Sequence, residues 1–185
     1  VSNLAEIDEA LKLIHRSHRE VLQEGHDTEL PPIGVMVEVP AAVYQAQSMA
    51  AKVDFLSVGS NDLTQYLLAV DRNNARVADL YQAFHPAVLQ ALRAVAQAGT
   101  RQGKPVSICG ELAGDPLAAV LLLAMGYDVL SMSASNLPKV KKVLRNLKMS
   151  DALVVLDEVM AMDNAFDIRV RLEQVLSDRG LQKFI

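Results

Sequence analysis

Five residues have the types and the setting to do chemistry together: Glu38, Asn61, Asp62, Arg72 and Cys109. Glu38 is the one charge in an apolar run, between Val37 and Val39. A carboxylate there is costly to bury alone, so it calls for a cation partner at a strand end or for a metal ion. Asp62 offers a second carboxylate if two strand ends are adjacent. Two carboxylates with waters and substrate oxygens suit Mg²⁺, which seldom uses an all-protein cage. Asn61-Asp62 also reads as a helix N-cap before Leu63, and the two roles can coexist on neighbours. Cys109 lies between Ile108 and Gly110. A lone cysteine is commonly a small buried hydrophobe. Here Gly110 permits close approach of a ligand to the backbone, and a helix N-terminus after Asp115 would favour a thiolate. Arg72 belongs to the polar stretch Asp71-Arg72-Asn73-Asn74, either as a solvated loop charge or as a fork for phosphate or carboxylate. The set suggests a small, multiply charged substrate held by Mg²⁺ and Arg, with a thiol at the reacting carbon. A phosphorylated carboxylic acid would fit. The residues give a site and a ligand class, not a reaction.

The elements that must position them follow from periodicity. Leu4, Ile7, Leu11, Ile14 and Val21 predict a helix over Leu4–Gln23, capped by Ser2 or Asn3 and stopped by Gly25. His15 and His18 share its surface; with no third ligand nearby they read as a solvated face rather than a metal site. Strands are predicted at Ile33–Val39, Val53–Val58, Val106–Cys109 and Tyr127–Met132. Helices are predicted at Ala41–Lys52, Leu63–Val70, Pro86–Ala98, Pro116–Met125, Asn136–Leu147, Ser150–Met160 and Ile168–Ser177. One helix and then four strand–helix units is the order of an α/β parallel sheet, expected to be covered on both faces. No GxGxxG or GxxxxGK[ST] loop follows any strand, which weakens the dinucleotide-fold and P-loop readings. What remains is the (β/α)₈ barrel, of which four units make half. In such a barrel the C-terminal strand ends share one rim, where barrel enzymes build their sites. The candidate residues stand there: Val37-Glu38-Val39-Pro40, Gly59-Ser60-Asn61-Asp62, Cys109-Gly110-Glu111 and Ser131-Met132-Ser133.

Composition removes several classes. The 185 residues are 51% hydrophobic and 22% charged, with mean hydropathy +0.17, which excludes a disordered chain. Lys plus Arg is 18 and Asp plus Glu is 22, so 18 − 22 = −4, and the pI is near 5.5. With no basic cluster beyond Lys139–Lys142, nucleic acid is not an expected partner. Aromatics are only 4% and Trp is absent, so stacking platforms for bases are lacking. A single cysteine excludes an internal disulfide framework or a CxxC metal site and fits a reducing cytoplasm. The longest apolar stretch, Leu117–Met125, is far short of the roughly 20 residues that span a bilayer. The first residue is Val, which points to a fragment or a trimmed start.

Several long segments carry a family signal: Gly34-Val-Met-Val-Glu38-Val-Pro40, Val53-Asp-Phe-Leu-Ser-Val-Gly-Ser-Asn-Asp-Leu-Thr-Gln-Tyr66, Ala69-Val-Asp-Arg72, Cys109-Gly-Glu-Leu-Ala-Gly114 and Leu130-Ser-Met-Ser133. In these segments the sequence resembles the C-terminal, phosphoenolpyruvate-binding domain of Enzyme I of the bacterial phosphotransferase system, over roughly residues 31–147. The resemblance implies that residues 1–185 are a partial domain of a longer chain, the C-terminal half of a TIM-type barrel. It implies Glu38 and Asp62 as Mg²⁺ ligands, and Asn61 and Asp62 as contacts to phosphoenolpyruvate. Arg72 would bind the phosphate, and Cys109 would protonate the enolate carbon as pyruvate forms. The phosphoryl group would pass to a histidine on a separate swivelling domain and then to a phosphocarrier protein. Pyruvate phosphate dikinase and phosphoenolpyruvate synthase share the metal carboxylates and the Cys-Gly pair. Glu111–Gly114 and Asn61–Tyr66 are closer to Enzyme I, and Val39 in place of Thr points to its nitrogen-related branch.

The same resemblance marks what this stretch does not carry. The family's substrate-binding arginines of the first four units and its phosphohistidine motif are not among these residues, and His15, His18, His26 and His85 match no part of that motif. The stretch alone is therefore expected not to transfer phosphate or bind phosphoenolpyruvate tightly. A half barrel has two open sheet edges, which predicts a homodimer or a covering partner. A dimerisation or regulatory module without catalysis is the alternative from another class, as is a dikinase or synthase relative.

Overall fold

The computed structural model describes residues 1–184. Four short apolar runs form strands: β1 (Gly34–Val37), β2 (Phe55–Gly59), β3 (Val106–Cys109) and β4 (Val129–Leu130). All pair in parallel, in the order β1-β2-β3-β4. Sequential order with helical crossovers is what right-handed βαβ units produce. The helices are α1 (Leu4–Gln23), α2 (Pro40–Ala50), α3 (Ser60–Leu68), α4 (Pro86–Gln102), α5 (Pro116–Met125), α6 (Leu137–Arg145), α7 (Met149–Met160) and α8 (Ala165–Ser177). Proline sits in the first helical turn of α2, α4, α5 and α6, where its missing N–H costs nothing. The His85 ring caps α4 and the Asp115 carboxylate caps α5, each accepting a backbone N–H two residues on.

Alternation along the strands divides the sheet into two unlike faces. Val35, Val37, Leu56, Val58, Val106 and Ile108 are buried on the helical side, where α2 and α4 pack. Met36, Ser57, Ser107 and Val129 share one register row on the opposite face, and Met36 and Val129 keep 39% and 53% of their surface exposed. Helices therefore cover one face only. That departs from a doubly wound sheet, buried on both faces, and is the cover of a barrel segment, whose other face looks inward. The chain is thus α/β with four parallel strands alternating with helices, as part of a TIM-type barrel.

Helix α5 is apolar all round and almost wholly buried, because α4, α6, α7 and α8 surround it. The α7–α8 pair is joined by Arg171–Glu158 at 2.8 Å and Arg179–Asp151 at 3.0 Å. Three boundaries differ from the sequence expectation in ways that matter below. β1 ends at Val37, so Glu38 lies just past the strand. α3 begins at Ser60, so Asn61 and Asp62 are inside its first turn rather than capping it. β4 has only two residues.

Candidate functional site

The register carries one row past the last strand pairs. Val37 pairs with Val58 and Gly59 pairs with Cys109, so Glu38, Gly59 and Cys109 follow one another across the inward face at the C-terminal rim. Ser131 continues that row, since its N–H donates to Ile108 O at 2.9 Å. Gly59 has no side chain to occupy the row. Glu38 fills the space, its Cβ and Oε2 each 3.1 Å from where a Gly59 Cβ would be. The Glu38 carboxylate thus lies over β2, toward the thiol strand.

Sequence reasoning expected either a cation partner or a metal for Glu38. No ion pair among the described residues includes Glu38 or Asp62. The salt-bridge reading is therefore corrected: Glu38 is only partly buried, so its charge does not require a protein cation. Asp62 is likewise partly exposed, in the first turn of α3, where the helix dipole favours an anion.

Two backbone turns are interlocked beside this row. Ser60 Oγ donates to Cys109 O at 2.6 Å, and Glu111 N–H donates to Asn61 Oδ1 at 3.1 Å. The turn after β2 is thereby fixed to the turn after β3. With Asn61 Oδ1 engaged, its amide NH₂ is left as a donor. Cys109 is a free, partly exposed thiol. The expectation that α5 would act on it is corrected. A 3₁₀ turn, Glu111–Gly114, separates the two, and Asp115 takes the helix terminus through Leu117 N–H at 2.8 Å. A cleft of 390 Å³ opens here, lined among others by Asn61, Cys109, Gly110, Ser131 and Asn136.

Arg72 comes in from the segment between α3 and α4. Its N–H donates to Gln65 Oε1 at 3.3 Å, and its guanidinium lies 4.0 Å from Glu111 Oε1. It is one-third exposed, so it is neither fully solvated nor tightly paired. The structure thus brings Asn61 and Cys109 to one cleft and ties Arg72 to its edge through Glu111. Glu38, Asp62 and Arg72 do not line the cleft itself.

Two members of this neighbourhood were given no role from the sequence: Ser60, read only as part of the strand end Gly59-Ser60-Asn61-Asp62, and Tyr81. Tyr81 Oη donates to Asn61 O at 3.3 Å. Burial holds its phenol above the ordinary range, opposed by Thr64 and Arg72, while Glu111 and Asp62 add to the rise. Neither residue had a local signal, because each acts only through a contact made by folding. Among the histidines, His18 is not merely solvated: Nε2 lies 2.9 Å from Thr28 O.

No group of three or more His, Cys, Asp or Glu side chains that could cage a metal occurs among the described residues. The donor set is two unpaired carboxylates at one rim. Such a set is compatible with a Mg²⁺ that keeps waters and takes its other ligands from a substrate. Among the described residues no helix is long and apolar enough to cross a membrane.

Comparison with known proteins gives the same direction. The profile of the PEP-utilising enzyme, PEP-binding domain family matches residues 1–149. A phosphoenolpyruvate-dependent phosphotransferase system protein of Salmonella typhimurium is 41% identical over 182 residues, 98% of this chain and 24% of that protein. The protein of that name in Escherichia coli gives the same figures. A phosphoenolpyruvate-protein phosphotransferase of Haemophilus influenzae is 42% identical over 183 residues, 98% of this chain and 32% of its own. The chain therefore spans a quarter to a third of the length of these curated relatives.

Proposed function

The chain belongs to the family of PEP-binding domains of PEP-utilising enzymes, and we propose that it is the C-terminal part of the barrel of a larger cytoplasmic phosphoenolpyruvate-protein phosphotransferase. Its role there is to bind Mg-phosphoenolpyruvate and to protonate the carbon left behind when the phosphoryl group departs. The observation that carries this reading is the rim row Glu38–Gly59–Cys109, with Asn61 and Asp62 in the adjoining helix turn. It supports the reading by bringing a thiol to the same rim as two carboxylates that have no cation partner among the described residues.

Each side chain has a defined task. Glu38 and Asp62 would hold Mg²⁺, whose charge would stabilise the phosphate and enolate oxygens. Asn61 donates its amide to a substrate oxygen while Glu111 N–H keeps the amide oriented. Arg72 grips the phosphate by its fork. In the open site Glu111 is the loose counter-ion that a phosphate replaces. The P–O bond breaks toward a histidine nitrogen on another domain, which receives the phosphoryl group and hands it to a phosphocarrier protein. The enolate left behind takes the Cys109 Sγ proton at its terminal carbon, giving pyruvate and a thiolate that regains its proton from solvent. Catalysis here is mainly positioning and charge stabilisation. The substrate-binding arginines and the first four units of the barrel would come from other parts of the protein, with homodimer formation as part of the proposal.

Cys109→Ala tests the assignment. In the full-length protein that carries this chain, turnover to pyruvate should fall by at least about a hundredfold, within the usual range for general acids. Mg²⁺-dependent phosphoenolpyruvate binding should be retained. Turnover like that of the wild type would remove Cys109 from the proton-donor role.

A further inference from the structure

We propose that Tyr81 is a positioning residue, whose hydroxyl ties the segment carrying Arg72 to the first turn of α3 and so sets affinity for the substrate phosphate. The proposal rests on the reading of Arg72 as the phosphate fork. The segment between Leu68 and Pro86 is long and holds Arg72 near its start. Most of its hydrogen bonds are internal: Asn73 N–H to Asp71 Oδ1, Arg76 N–H to Asn74 Oδ1, and Val77 N–H to Asn74 O. These shape the segment without fixing it to the site. The segment is held to α3 by Val70 N–H to Gln65 O at 3.0 Å and by two side-chain bonds, Arg72 N–H to Gln65 Oε1 near one end and Tyr81 Oη to Asn61 O near the other.

Both side-chain anchors fall on α3, and the Tyr81 anchor falls on Asn61, whose side chain already reaches the turn after Cys109. Tyr81 thus closes a loop of contacts from Asn61 through Glu111 and Arg72. Burial holds its phenol above the ordinary range, and the charges of Arg72, Glu111 and Asp62 are near enough to act on it. Thr64, 1% exposed as a residue, has a buried hydroxyl with no hydrogen-bond partner among the described residues.

On this proposal Arg72 grips the phosphate equally in bound substrate and during transfer, leaving charge stabilisation in the transfer to the other groups. Loosening its segment therefore removes uniform binding, which raises KM and leaves kcat. A single hydrogen bond of ordinary strength corresponds to about a three- to tenfold effect.

The experiment compares Tyr81→Phe with wild type in the full-length protein. Tryptic cleavage after Arg72 and Arg76 under native conditions, mapped by mass spectrometry, reads the segment without reference to activity. Steady-state kinetics read the substrate grip. Cleavage and KM for phosphoenolpyruvate should both rise about three- to tenfold, with kcat within twofold. Tyr127→Phe is the control, since it removes another buried phenol bond, Tyr127 Oη to Leu92 O at 3.0 Å, away from this segment. It should move neither readout. Unchanged cleavage in Tyr81→Phe, or raised cleavage with unchanged KM, overturns the proposal, as does an equal effect of Tyr127→Phe. Failure of the underlying reading shows separately, as wild-type protein without Mg²⁺-dependent phosphoenolpyruvate binding.

Discussion

At Gly110 the backbone turns through φ +96, and a Cβ there would collide with Ser60 Oγ and come within 2.9 Å of Asn61 Oδ1. Both atoms are already committed, to Cys109 O and to Glu111 N–H. The thiol strand and the Asn61 turn can approach this closely only because the residue between them has no side chain. Gly110→Ala is therefore expected to cost about 1–3 kcal/mol, read as a lower urea midpoint, and to weaken phosphoenolpyruvate binding beyond the loss of stability. An unchanged midpoint would contradict the packing argument. Glu38, Asn61, Asp62, Arg72 and Cys109 were legible as candidates, since each is a reactive type at a strand end or in a polar loop. The roles of Ser60 and Tyr81 were not legible. A serine and a tyrosine in such places are ordinary, and their partners lie 49 and 20 residues away.

Among elements, the strand–helix alternation was legible because apolar runs and Pro or Gly punctuation mark both ends of most units. The start of α3 was not. Gly59-Ser60-Asn61-Asp62 carries capping residue types, yet Ser60 and Asn61 spend their side chains on the β3 turn, and the helix starts without a side-chain cap. β4 was read too long because Tyr127 is apolar in sequence. In the fold it is buried off the strand and donates to Leu92 O. Helix α4 meets β3 at Gly99, where a Cβ would overlap the Val106 side chain and lie 3.0 Å from Lys104 O. Alanine would gain up to about 1 kcal/mol of helix propensity. Val106 is buried and β-branched, so it cannot yield, and overpacking of this kind costs about 1–3 kcal/mol. Gly99→Ala should thus lower stability by about 1 kcal/mol or more, as a shifted urea midpoint with an unchanged slope. A rise in the midpoint would show that propensity wins.

For the whole molecule, the telling feature is that helices cover one face of the sheet while Met36 and Val129 stay exposed on the other. The count of four units was legible in the sequence. The one-sided cover was not, because β-branched runs look alike whether a strand is buried on both faces or lines a barrel. β1 and β4 are the outer strands of the sheet, and the site row runs between them along one rim. In the proposed function that rim is one part of a substrate site, and its contribution is the metal carboxylates, the phosphate fork and the thiol. The most direct test is a calorimetric titration of phosphoenolpyruvate into the full-length protein that carries this chain, with Mg²⁺ and with a chelator, for wild type and Asp62→Asn. The account predicts clear binding by wild type with Mg²⁺, and affinity at least about tenfold weaker, some 1.4 kcal/mol, without the ion or with Asn at position 62. Equal affinity in all of these conditions would contradict it.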